Sequence, residues 1–345
     1  MSAQNQQIEL DTLGPYLEKH VEGFRGLKAV EKFNKGQSNP TYRVDAESGS
    51  YVMRAKPTGE LLKAAHQVDR EFRVMSALAK TDVPVPKMLH LAPEDSPIGR
   101  MFYIMEFLEG RVLWDPKLPE LSPEERFATY DDMNRCLAAL HDVDPKAVGL
   151  EDFGRPGSYF ERQLGRWTTQ YRASETEKYP DMDHLIDWLE KNMPADDGVA
   201  SIVHGDYRLD NAMFHKTEPR ILAVLDWELS TLGHPYADLG YQCAYWRLPN
   251  RDGLRGLGDV ERGRATGLPD EREYVEAYCK RRGITDIPNW EFYVAFSFFR
   301  YAAIIQGVYK RGLDGNASDP EGAMRAGRNV PRIARIAVEG LEAAK

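Results

Sequence analysis

The sequence predicts an α+β fold with two lobes, in which a small antiparallel β-sheet lobe precedes a larger lobe made mostly of helices. Two observations favour this division. Up to about residue 107, short strand-like apolar runs alternate with polar turns around one strongly periodic helix. From Leu108 onward, apolar residues recur mainly at helical spacing. We therefore expect an N-terminal lobe at residues 1–107 and a C-terminal lobe at residues 108–345.

The first lobe has the local patterns of an antiparallel sheet with helices. Residues 8–24 carry apolar residues on one stripe and predict a helix. The run 60–80 is the clearest helix, and Val83-Pro84-Val85-Pro86 ends it, because proline cannot continue a helix. The expected strands are a hairpin over 30–44, whose turn is Gly36-Gln37-Ser38-Asn39, followed by strands at 50–54, 87–91 and 101–105.

The second lobe is predicted to be helical apart from two short apolar runs. Ser122 and Pro123 are typical of a helix start, and the helix is expected to reach His141. We expect Phe127, Met133, Leu137 and Leu140 on its inward face. Further helices are predicted at 158–173, 181–193, 235–247, 270–282, 288–309 and 319–342. The glycine- and arginine-rich loop 251–266 is expected to be exposed and mobile.

Composition excludes several classes of protein. The 345 residues contain 42% hydrophobic residues, which is enough for a substantial core. A net charge of −9 argues against nucleic-acid binding, which normally requires a basic face. Three scattered cysteines support neither a disulfide framework nor a CxxC metal site. With no signal-peptide pattern at the N-terminus, these features favour a cytoplasmic protein, and the oligomeric state is left open.

The segment 292–309 is the one place where a membrane span could be suspected. Arg300 and Gln306 interrupt this apolar run, which is also shorter than the ~20 residues that a span needs. We expect a buried helix and no membrane span.

The chemistry is concentrated in two polar clusters that follow short apolar runs. Ser201-Ile202-Val203 leads into His204-Gly205-Asp206, and Asn211 follows Asp206 by five residues. A second run, Ile221 to Leu225, leads into Asp226 fifteen residues after Asn211. One carboxylate, one amide and a second carboxylate suit phosphoryl transfer, in which a base receives a hydroxyl proton and hard oxygen ligands hold Mg²⁺. Asp206 is therefore the candidate base, and Asn211 and Asp226 are the candidate metal ligands.

The same residues also have structural explanations that involve no catalysis. Asp206 can be a turn aspartate that caps its own loop, and Asp226 a strand-end turn residue. A charged group after a buried strand needs a partner, however, and the spacing of all three residues favours catalysis. Arg208 can contact an anionic acceptor or the phosphates, but a surface pair with Asp210 is the preferred reading.

His-Gly-Asp with the later asparagine and Asp226-Trp227-Glu228 resembles the aminoglycoside phosphotransferase and choline kinase-like family, relatives of protein kinases. The resemblance covers about residues 30–240, with the helical remainder compatible, and is closest to the branch found as the N-terminal domain of acyl-CoA dehydrogenase 10/11-type proteins. The other matching segments occur in the expected order: Tyr51-Val52-Met53-Arg54, the 68–74 helix segment, Asp82-Val83-Pro84-Val85-Pro86, Tyr103-Ile104-Met105-Glu106-Phe107 and Gly233-His234-Pro235-Tyr236-Ala237-Asp238-Leu239.

The resemblance implies a bilobal protein-kinase-like fold that binds ATP and Mg²⁺ and transfers the γ-phosphoryl group to a hydroxyl of a small molecule. It implies that the His204 ring braces the catalytic loop through the backbone. Asp238 is expected to accept backbone N–H groups of that loop or of a helix start. Glu228 is left open between a second metal contact and a substrate contact.

The resemblance also implies a nucleotide site in the first lobe. A strand cation paired with a helix glutamate is expected to hold the phosphates. Relatives have a lysine at this strand position, whereas this chain has Arg54 there and Lys56 two residues further on, so either can be the cation. Glu71 is the expected partner. The hairpin turn, with Ser38 and Asn39, would cover the phosphates. Adenine would be bound by the hinge, with Glu106 and Leu108 supplying backbone groups.

The acceptor is the least determined part of the function. The acidic residues are spread along the chain and do not indicate a pocket for polycationic aminoglycosides. The aromatic residues of the C-terminal segment and the likeness to proteins with acyl-CoA dehydrogenase domains favour a hydroxyacyl-CoA or similar alcohol. The alternatives are a non-catalytic nucleotide-binding module, an aminoglycoside-type antibiotic kinase, and a hydrolase, for which no nucleophile motif is found.

Overall fold

The first part of the chain carries a five-stranded antiparallel sheet with the strand order β1-β2-β3-β5-β4. The computed structural model describes residues 10–33, 39–57, 67–317 and 319–344, which divide into two units. The first unit comprises Met1–Gly110 and Leu222–Leu229. Its elements are α1 (Leu10–His20), β1 (Leu27–Lys32), β2 (Thr41–Ala46), β3 (Gly49–Ala55), α2 (Val68–Leu78), β4 (Met88–Ala92) and β5 (Phe102–Glu106).

The core of this unit lies between α1 and the sheet. Leu13 and Leu17 of α1 are fully buried against Val44, Met53 and Ile104 of three neighbouring strands. In the central strand β3, alternate residues therefore face this core, as the period of two requires. The polar positions between them are directed to the opposite face of the sheet.

Only the second part of the predicted helix 60–80 lies within the described residues. Residues 60–66 lie outside the described part of the chain, and Gln67 is the N-cap with non-helical backbone angles. The described helix α2 therefore runs from Val68 to Leu78. Its buried face includes Glu71, a charged residue among apolar neighbours. The hairpin turn residues 36–38 also lie outside the described residues.

The second unit comprises Arg111–Ile221 and Ser230–Lys345 and is mostly helical. Its sheet pairs are short: β7 pairs with β10, and β6 pairs with β8. Such short strands have too few residues to show an alternating pattern, which is why β6, β8 and β10 were not predicted. Its elements are β6 (Arg111–Val112), α3 (Pro123–Asp142), α4 (Tyr159–Ser174), α5 (Pro180–Lys191), β7 (Ser201–Val203), β8 (Ala212–Phe214), β9 (Ile221–Val224, whose last three residues belong to the first unit), β10 (Thr231–Gly233), α6 (Tyr236–Ala244), α7 (Glu271–Arg282), α8 (Trp290–Leu313), α9 (Pro320–Gly327) and α10 (Val330–Ala343).

The start of α3 follows from its sequence, but one of its predicted core residues is wrong. The Ser122 side chain accepts from the Glu125 backbone N–H, and Glu125 returns the bond, which forms a capping box. Met133 is buried, whereas Phe127 is 54% exposed. Six residues separate the two, so Phe127 lies about 120° around the helix from Met133. Phe127 therefore faces solvent although it is hydrophobic.

The segment predicted as one helix at 319–342 is two helices. Gly327 ends α9 against Tyr309, where an added Cβ would lie 2.3 Å from the ring. Pro331 occupies the first turn of α10, where its missing N–H is tolerated. Between them, the Asn329 side chain donates to the Asp252 carbonyl oxygen at 3.0 Å. The interruption therefore ties the C-terminal helices to the loop 251–266.

The loop 251–266, which was expected to be exposed, is exposed in only part of its length. Leu254 and Leu257 are buried. The Leu257 N–H donates to the Tyr245 carbonyl oxygen at 2.7 Å. The loop is thus anchored by its own leucines, and Gly256 and Gly258 allow its backbone to approach residues 247–248 closely.

The apolar run 292–309 forms most of α8, a buried helix. Arg300 is 7% exposed and Gln306 is fully buried. Among the described residues, no helix is both long and apolar enough to cross a membrane.

Candidate active site

The backbone of the loop after β7 is hydrogen-bonded to one buried carboxylate. Asp238 of α6 is 1% exposed. Its Oδ2 accepts the backbone N–H of His204 at 2.6 Å, and its Oδ1 accepts that of Gly205 at 2.8 Å. The Nε2 atom of His141 lies 3.4 Å from the same carboxylate. Asp238 therefore fixes the backbone of the loop.

The charge of Asp238 is stabilised where it is buried. Burial alone would raise its pKa, but the hydrogen bond and charge of His141 and the loop N–H groups hold the pKa below its usual value. Burial in turn lowers the pKa of His141, although Asp238 opposes that shift. The two buried groups therefore shift the pKa of each other in opposite directions.

His204 and Gly205 shape the turn that carries Asp206. His204 is fully buried, and its Nδ1 accepts the backbone N–H of Asp206 at 3.2 Å. Gly205 has a φ of 84°, a left-handed conformation that glycine adopts without strain. The turn therefore orients the Asp206 side chain through the backbone on either side.

Three side chains hold the carboxylate of Asp206. The hydroxyl of Tyr241 donates to Oδ1 at 2.7 Å. Asn211 Nδ2 donates to Oδ2 at 2.9 Å, and Arg208 Nε lies 3.2 Å from the same atom. The Arg208 guanidinium also pairs with Asp210 at 3.2 Å, so the predicted Arg208–Asp210 pair is one half of a three-residue cluster. Asp206 is 21% exposed and still reaches solvent.

Sequence reasoning missed the parts played by Tyr241 and Arg300. Tyr241 is buried on α6, and burial with the charge of Asp206 raises the pKa of its hydroxyl well above the usual value. Arg300 of α8 donates to the Gly205 carbonyl oxygen at 2.6 Å. Its guanidinium also lies 5.7 Å from the centre of the Tyr241 ring. An arginine inside an otherwise apolar run was the signal that could have identified it.

A second polar cluster lies in the first unit around Arg54 of β3. Arg54 NH2 lies 2.8 Å from Asp226 Oδ1 and 3.5 Å from Glu228 Oε2. Arg54 Nε lies 3.2 Å from Glu71 Oε2, yet it has no hydrogen-bond partner among the described residues. The guanidinium is only 14% exposed. Three carboxylates therefore surround this guanidinium and fix its position.

Lys56, the other candidate cation, lies elsewhere. Its Nζ pairs with Glu94, whose side chain is 60% exposed. The structure therefore pairs Glu71 with Arg54 and not with Lys56. The arginine at this place keeps the cation–glutamate pair with a guanidinium instead of an ammonium.

Glu71 connects the cation to the sheet. Its Oε1 accepts from Asn39 Nδ2 at 2.7 Å, and its Oε2 accepts from the Tyr103 hydroxyl at 3.1 Å. Burial raises the pKa of Glu71 to about 7; Arg54 opposes this shift, and the nearby carboxylates of Asp226 and Glu228 reinforce it. Asn39 is thus brought to the cluster, while its predicted companion Ser38 lies outside the described residues.

Asp226 has a backbone conformation that is uncommon for aspartate. Its φ is 65°, in the left-handed region. The next residue, Trp227, is buried, and its indole N–H donates to the Val224 carbonyl oxygen at 2.9 Å. A turn that would suit glycine therefore carries a carboxylate, as is common at functional sites.

The hinge candidates lie at the end of β5. The Glu106 backbone N–H donates to the Lys87 carbonyl oxygen at 3.0 Å, and its carboxylate accepts the Lys87 N–H at 2.7 Å. Leu108 follows the strand and is half-buried. The side chain of Glu106 is thus used to hold β4.

Asn211 and Asp226, the two expected Mg²⁺ ligands, each carry hard oxygen atoms. In the described residues, no group of three or more His, Cys, Asp and Glu side chains is arranged to hold a metal. Asn211 makes its bonds to Asp206 through Nδ2, so its Oδ1 is not used in these bonds. Asp226 supplies a carboxylate that is 34% exposed. Such sparse, hard oxygen ligands suit a cation that keeps several waters.

The antiparallel-sheet unit with its cation–glutamate pair and the helical unit with its braced His-Gly-Asp loop define a kinase-like α+β protein. The phosphotransferase enzyme family matches residues 29–277, and the chain belongs to this family. The structure is similar to that of a putative aminoglycoside phosphotransferase from Ralstonia eutropha JMP134, with 52% identity, a TM-score of 0.89 and coverage of 96% of this chain and 98% of that one.

Two further comparisons extend this result. Acyl-CoA dehydrogenase family member 10 of Mus musculus is 46% identical over 93% of this chain. The chain spans only 30% of the length of that relative. Spectinomycin phosphotransferase, solved in complex with ADP and spectinomycin, shares the fold at 14% identity, with a TM-score of 0.63 and coverage of 96% of this chain and 98% of that one.

Proposed function

We propose that the protein is an ATP- and Mg²⁺-dependent phosphotransferase that moves the γ-phosphoryl group to a hydroxyl of a small molecule. The observation that carries this proposal is the setting of Asp206. Its carboxylate is oriented by Tyr241 and Asn211, on a turn whose backbone is fixed by Asp238. A purely nucleotide-binding module has no need of a carboxylate held in this way.

In this proposal, Asp206 orients the acceptor hydroxyl and receives its proton as the phosphoryl group arrives. The transition state of phosphoryl transfer is loose, so correct placement of the nucleophile contributes more than the basicity of the carboxylate. Arg54 binds the phosphates, and Glu71 holds Arg54 in place. Asn211 and Asp226 hold the Mg²⁺, which when bound neutralises charge on the phosphates. His204 and Asp238 support the loop.

In this proposal, the two predicted lobes have different roles. Residues 1–107 form the nucleotide-binding lobe, with Asn39 and Ser38 near the phosphates and the backbone of Glu106 and Leu108 at adenine. Residues 108–345 form the catalytic and acceptor-binding lobe. The Arg54–Glu71 pair in the first unit supports the nucleotide role, because a guanidinium held in place by a buried carboxylate is a preorganised group for binding phosphate.

We further propose that the acceptor is a hydroxyacyl-CoA or a similar lipid-derived alcohol. The support is the name of a relative, acyl-CoA dehydrogenase family member 10, of which this chain matches 30%. A kinase segment and an acyl-CoA dehydrogenase segment within one protein suggest that both act on acyl groups. The aminoglycoside-type alternative has its own support in the name of the putative phosphotransferase from Ralstonia eutropha JMP134.

The test is ADP release from Mg-ATP over a panel of hydroxyacyl-CoAs, choline-like alcohols, sugars and aminoglycosides. Asp206→Asn should lower kcat by about a hundred- to ten-thousand-fold, because it removes the proton acceptor while keeping the shape of the side chain. Binding of Mg-ATP, measured by calorimetry, should remain. Asp187→Asn, an exposed position on α5, is the matched control and should change neither.

The outcomes separate the candidate functions. Turnover of one acceptor class that the Asp206 variant loses would establish the kinase and identify its acceptor. Nucleotide binding without turnover of any acceptor would favour the non-catalytic module. No binding of Mg-ATP would refute the proposed function altogether.

A further inference from the structure

A cavity of about 240 Å³ in the second unit adjoins Asp206. Arg208 lies in its wall and is also 3.2 Å from the Asp206 carboxylate. Tyr245, another wall residue, has its ring 5.9 Å from that of Tyr241, which donates to Asp206. A molecule in this cavity would therefore lie beside the proposed base, where an acceptor has to be.

The walls of this cavity combine aromatic rings with cations. Trp114, Tyr245 and Tyr301 supply the rings, and Arg208 and Arg255 supply the cations. Asp210 is the one acidic residue among the lining residues, a statement that covers the described part of the chain. Such walls suit a ligand with an apolar or flat part and an oxyanion.

The two arginines differ in how their charge is balanced. Arg208 lies between Asp206 and Asp210, at 3.2 Å from each, so its charge is already compensated. Arg255 is exposed and lies over the Trp114 ring at 6.0 Å from its centre. No carboxylate of a described residue is within ion-pair distance of Arg255. Asp210 interacts with Arg255 electrostatically, but it pairs directly with Arg208. Arg255 is therefore the cation of the cavity wall that makes no ion pair with a described carboxylate, and it lies at the exposed edge of the cavity.

Arg255 is presented by a well-anchored piece of backbone. Leu254 before it is buried, and Leu257 after it is fully buried. On the same loop, the Asn250 side chain donates to Asp115 at 3.0 Å. Because the backbone is held on both sides, the guanidinium needs little ordering to bind a ligand, which favours affinity.

We propose that this cavity is the acceptor site and that Arg255 binds an oxyanion of the acceptor, a carboxylate or a phosphate group, while the rings contact its uncharged part. This inference rests on the proposed function in calling the bound molecule an acceptor. It also gives a physical reason against aminoglycosides and choline, whose cationic groups would have to lie next to Arg255.

The first test measures anion binding without any phosphoryl transfer. The protein is labelled with fluorotryptophan, the Trp114 signal is assigned with Trp114→Phe, and fluorine NMR follows it during titration with inorganic phosphate and, separately, with hydroxybutanoate. We expect a saturable shift with at least one of the two, and the more effective probe distinguishes a phosphate from a carboxylate group. Chloride at equal ionic strength should cause no saturable shift, since screening is not specific binding.

The matched variants are Arg255→Gln and Arg251→Gln. Arg251 is on the same loop, is exposed and pairs with Asp259 at 3.7 Å, but does not line the cavity. Arg255→Gln should weaken anion binding by about tenfold or more, as expected for loss of a charged hydrogen-bond partner, and Arg251→Gln should leave it unchanged. An equal shift in Arg255→Gln, or no saturable shift with either probe, would overturn the inference.

The second test compares acceptors that differ only in the anion, glycerol phosphate with glycerol and hydroxybutanoate with butanediol, by ADP release. The inference predicts a higher kcat/KM for the anionic member of a pair that is turned over, and a loss of this preference in Arg255→Gln. Equal kcat/KM for the anionic and the neutral acceptor, in the wild type and in Arg255→Gln, would overturn the inference and leave the proposed function intact. Anion binding at Arg255 together with no ADP release from any acceptor, those of the larger panel included, would overturn the proposed function instead.

Discussion

Replacing Asp238 with asparagine should loosen the loop 204–206 far more than its small change in shape suggests. The carboxylate accepts two backbone N–H groups through two different oxygen atoms, at 2.6 Å from His204 and 2.8 Å from Gly205. An amide keeps one oxygen and directs an NH₂ group at the other N–H. One hydrogen bond is lost, and two donors then face each other in a buried place.

The magnitude follows from these two contacts. Loss of a hydrogen bond to a charged acceptor costs about 1.5–3 kcal/mol, and leaving the second donor unsatisfied costs about 1–3 kcal/mol. We therefore expect Asp238→Asn to destabilise the loop by about 3–5 kcal/mol. This corresponds to amide hydrogen exchange at His204 and Gly205 that is faster by about a hundred- to five-thousand-fold when exchange reports local opening, because each 1.4 kcal/mol is about a factor of ten.

The assay is hydrogen exchange of the peptide that covers residues 201–211, followed by mass spectrometry. Asp187→Asn on the surface of α5 should leave that peptide unchanged. The reasoning would be refuted if Asp238→Asn exchanged at the wild-type rate, because the carboxylate would then not be holding the loop.

The pH dependence has a definite sign. The pKa of Asp238 is lowered in the folded protein, so its contribution is present above the usual carboxyl pKa of 3.8 and is lost as the pH falls through the lower folded value. The difference in stability between the wild type and Asp238→Asn should therefore narrow on acidification below about pH 4.

Two further predictions concern stability. Glu71 has a pKa raised to about 7 from 4.5, so the wild type should lose up to about 3 kcal/mol of unfolding free energy as the pH rises through this range, whereas Glu71→Gln should not. Melting curves at several pH values measure this, with Glu94→Gln, at an exposed position, as the control. The same pH dependence of stability in the wild type and in Glu71→Gln would contradict the prediction. Gly240→Ala should lower the free energy of urea unfolding by about 1–3 kcal/mol, because the added Cβ would lie 2.7 Å from the Tyr293 carbonyl oxygen. Gly165→Ala, in open space on α4, should raise it by about 0.5–1 kcal/mol. Equal effects of the two substitutions would show that close packing of α6 on α8 is not the cause.

The fold class could be predicted because its signals are local. The capping box at Ser122 and the period of α3 depend on residues within a few positions of one another. The turn from His204 to Asn211 is equally local, so its polar residues could be recognised together. In contrast, Phe127 is an exposed hydrophobic residue, and no neighbour along the chain indicates this.

The residues that the sequence did not reveal act over long distances in the chain. Tyr241 and Arg300 reach the loop from α6 and α8, and neither lies in a motif with fixed spacing to Asp206. The choice between Arg54 and Lys56 likewise depended on where each side chain points, and only the pairing of Arg54 with Glu71 and Asp226 decided it. Packing between elements determines such contacts, and periodicity carries no information about it.

The residues that hold the loop 204–206 and the residues that line the proposed acceptor cavity belong to different segments of the chain. Asp238 and Arg300 hold its backbone from α6 and α8, while Arg255 and Trp114 lie on separate segments. Substitutions at the latter positions can change which molecules are accepted without altering the backbone that presents Asp206. Over evolutionary time, or in a directed-evolution library, one reaction can therefore be inherited unchanged while its range of acceptors diversifies.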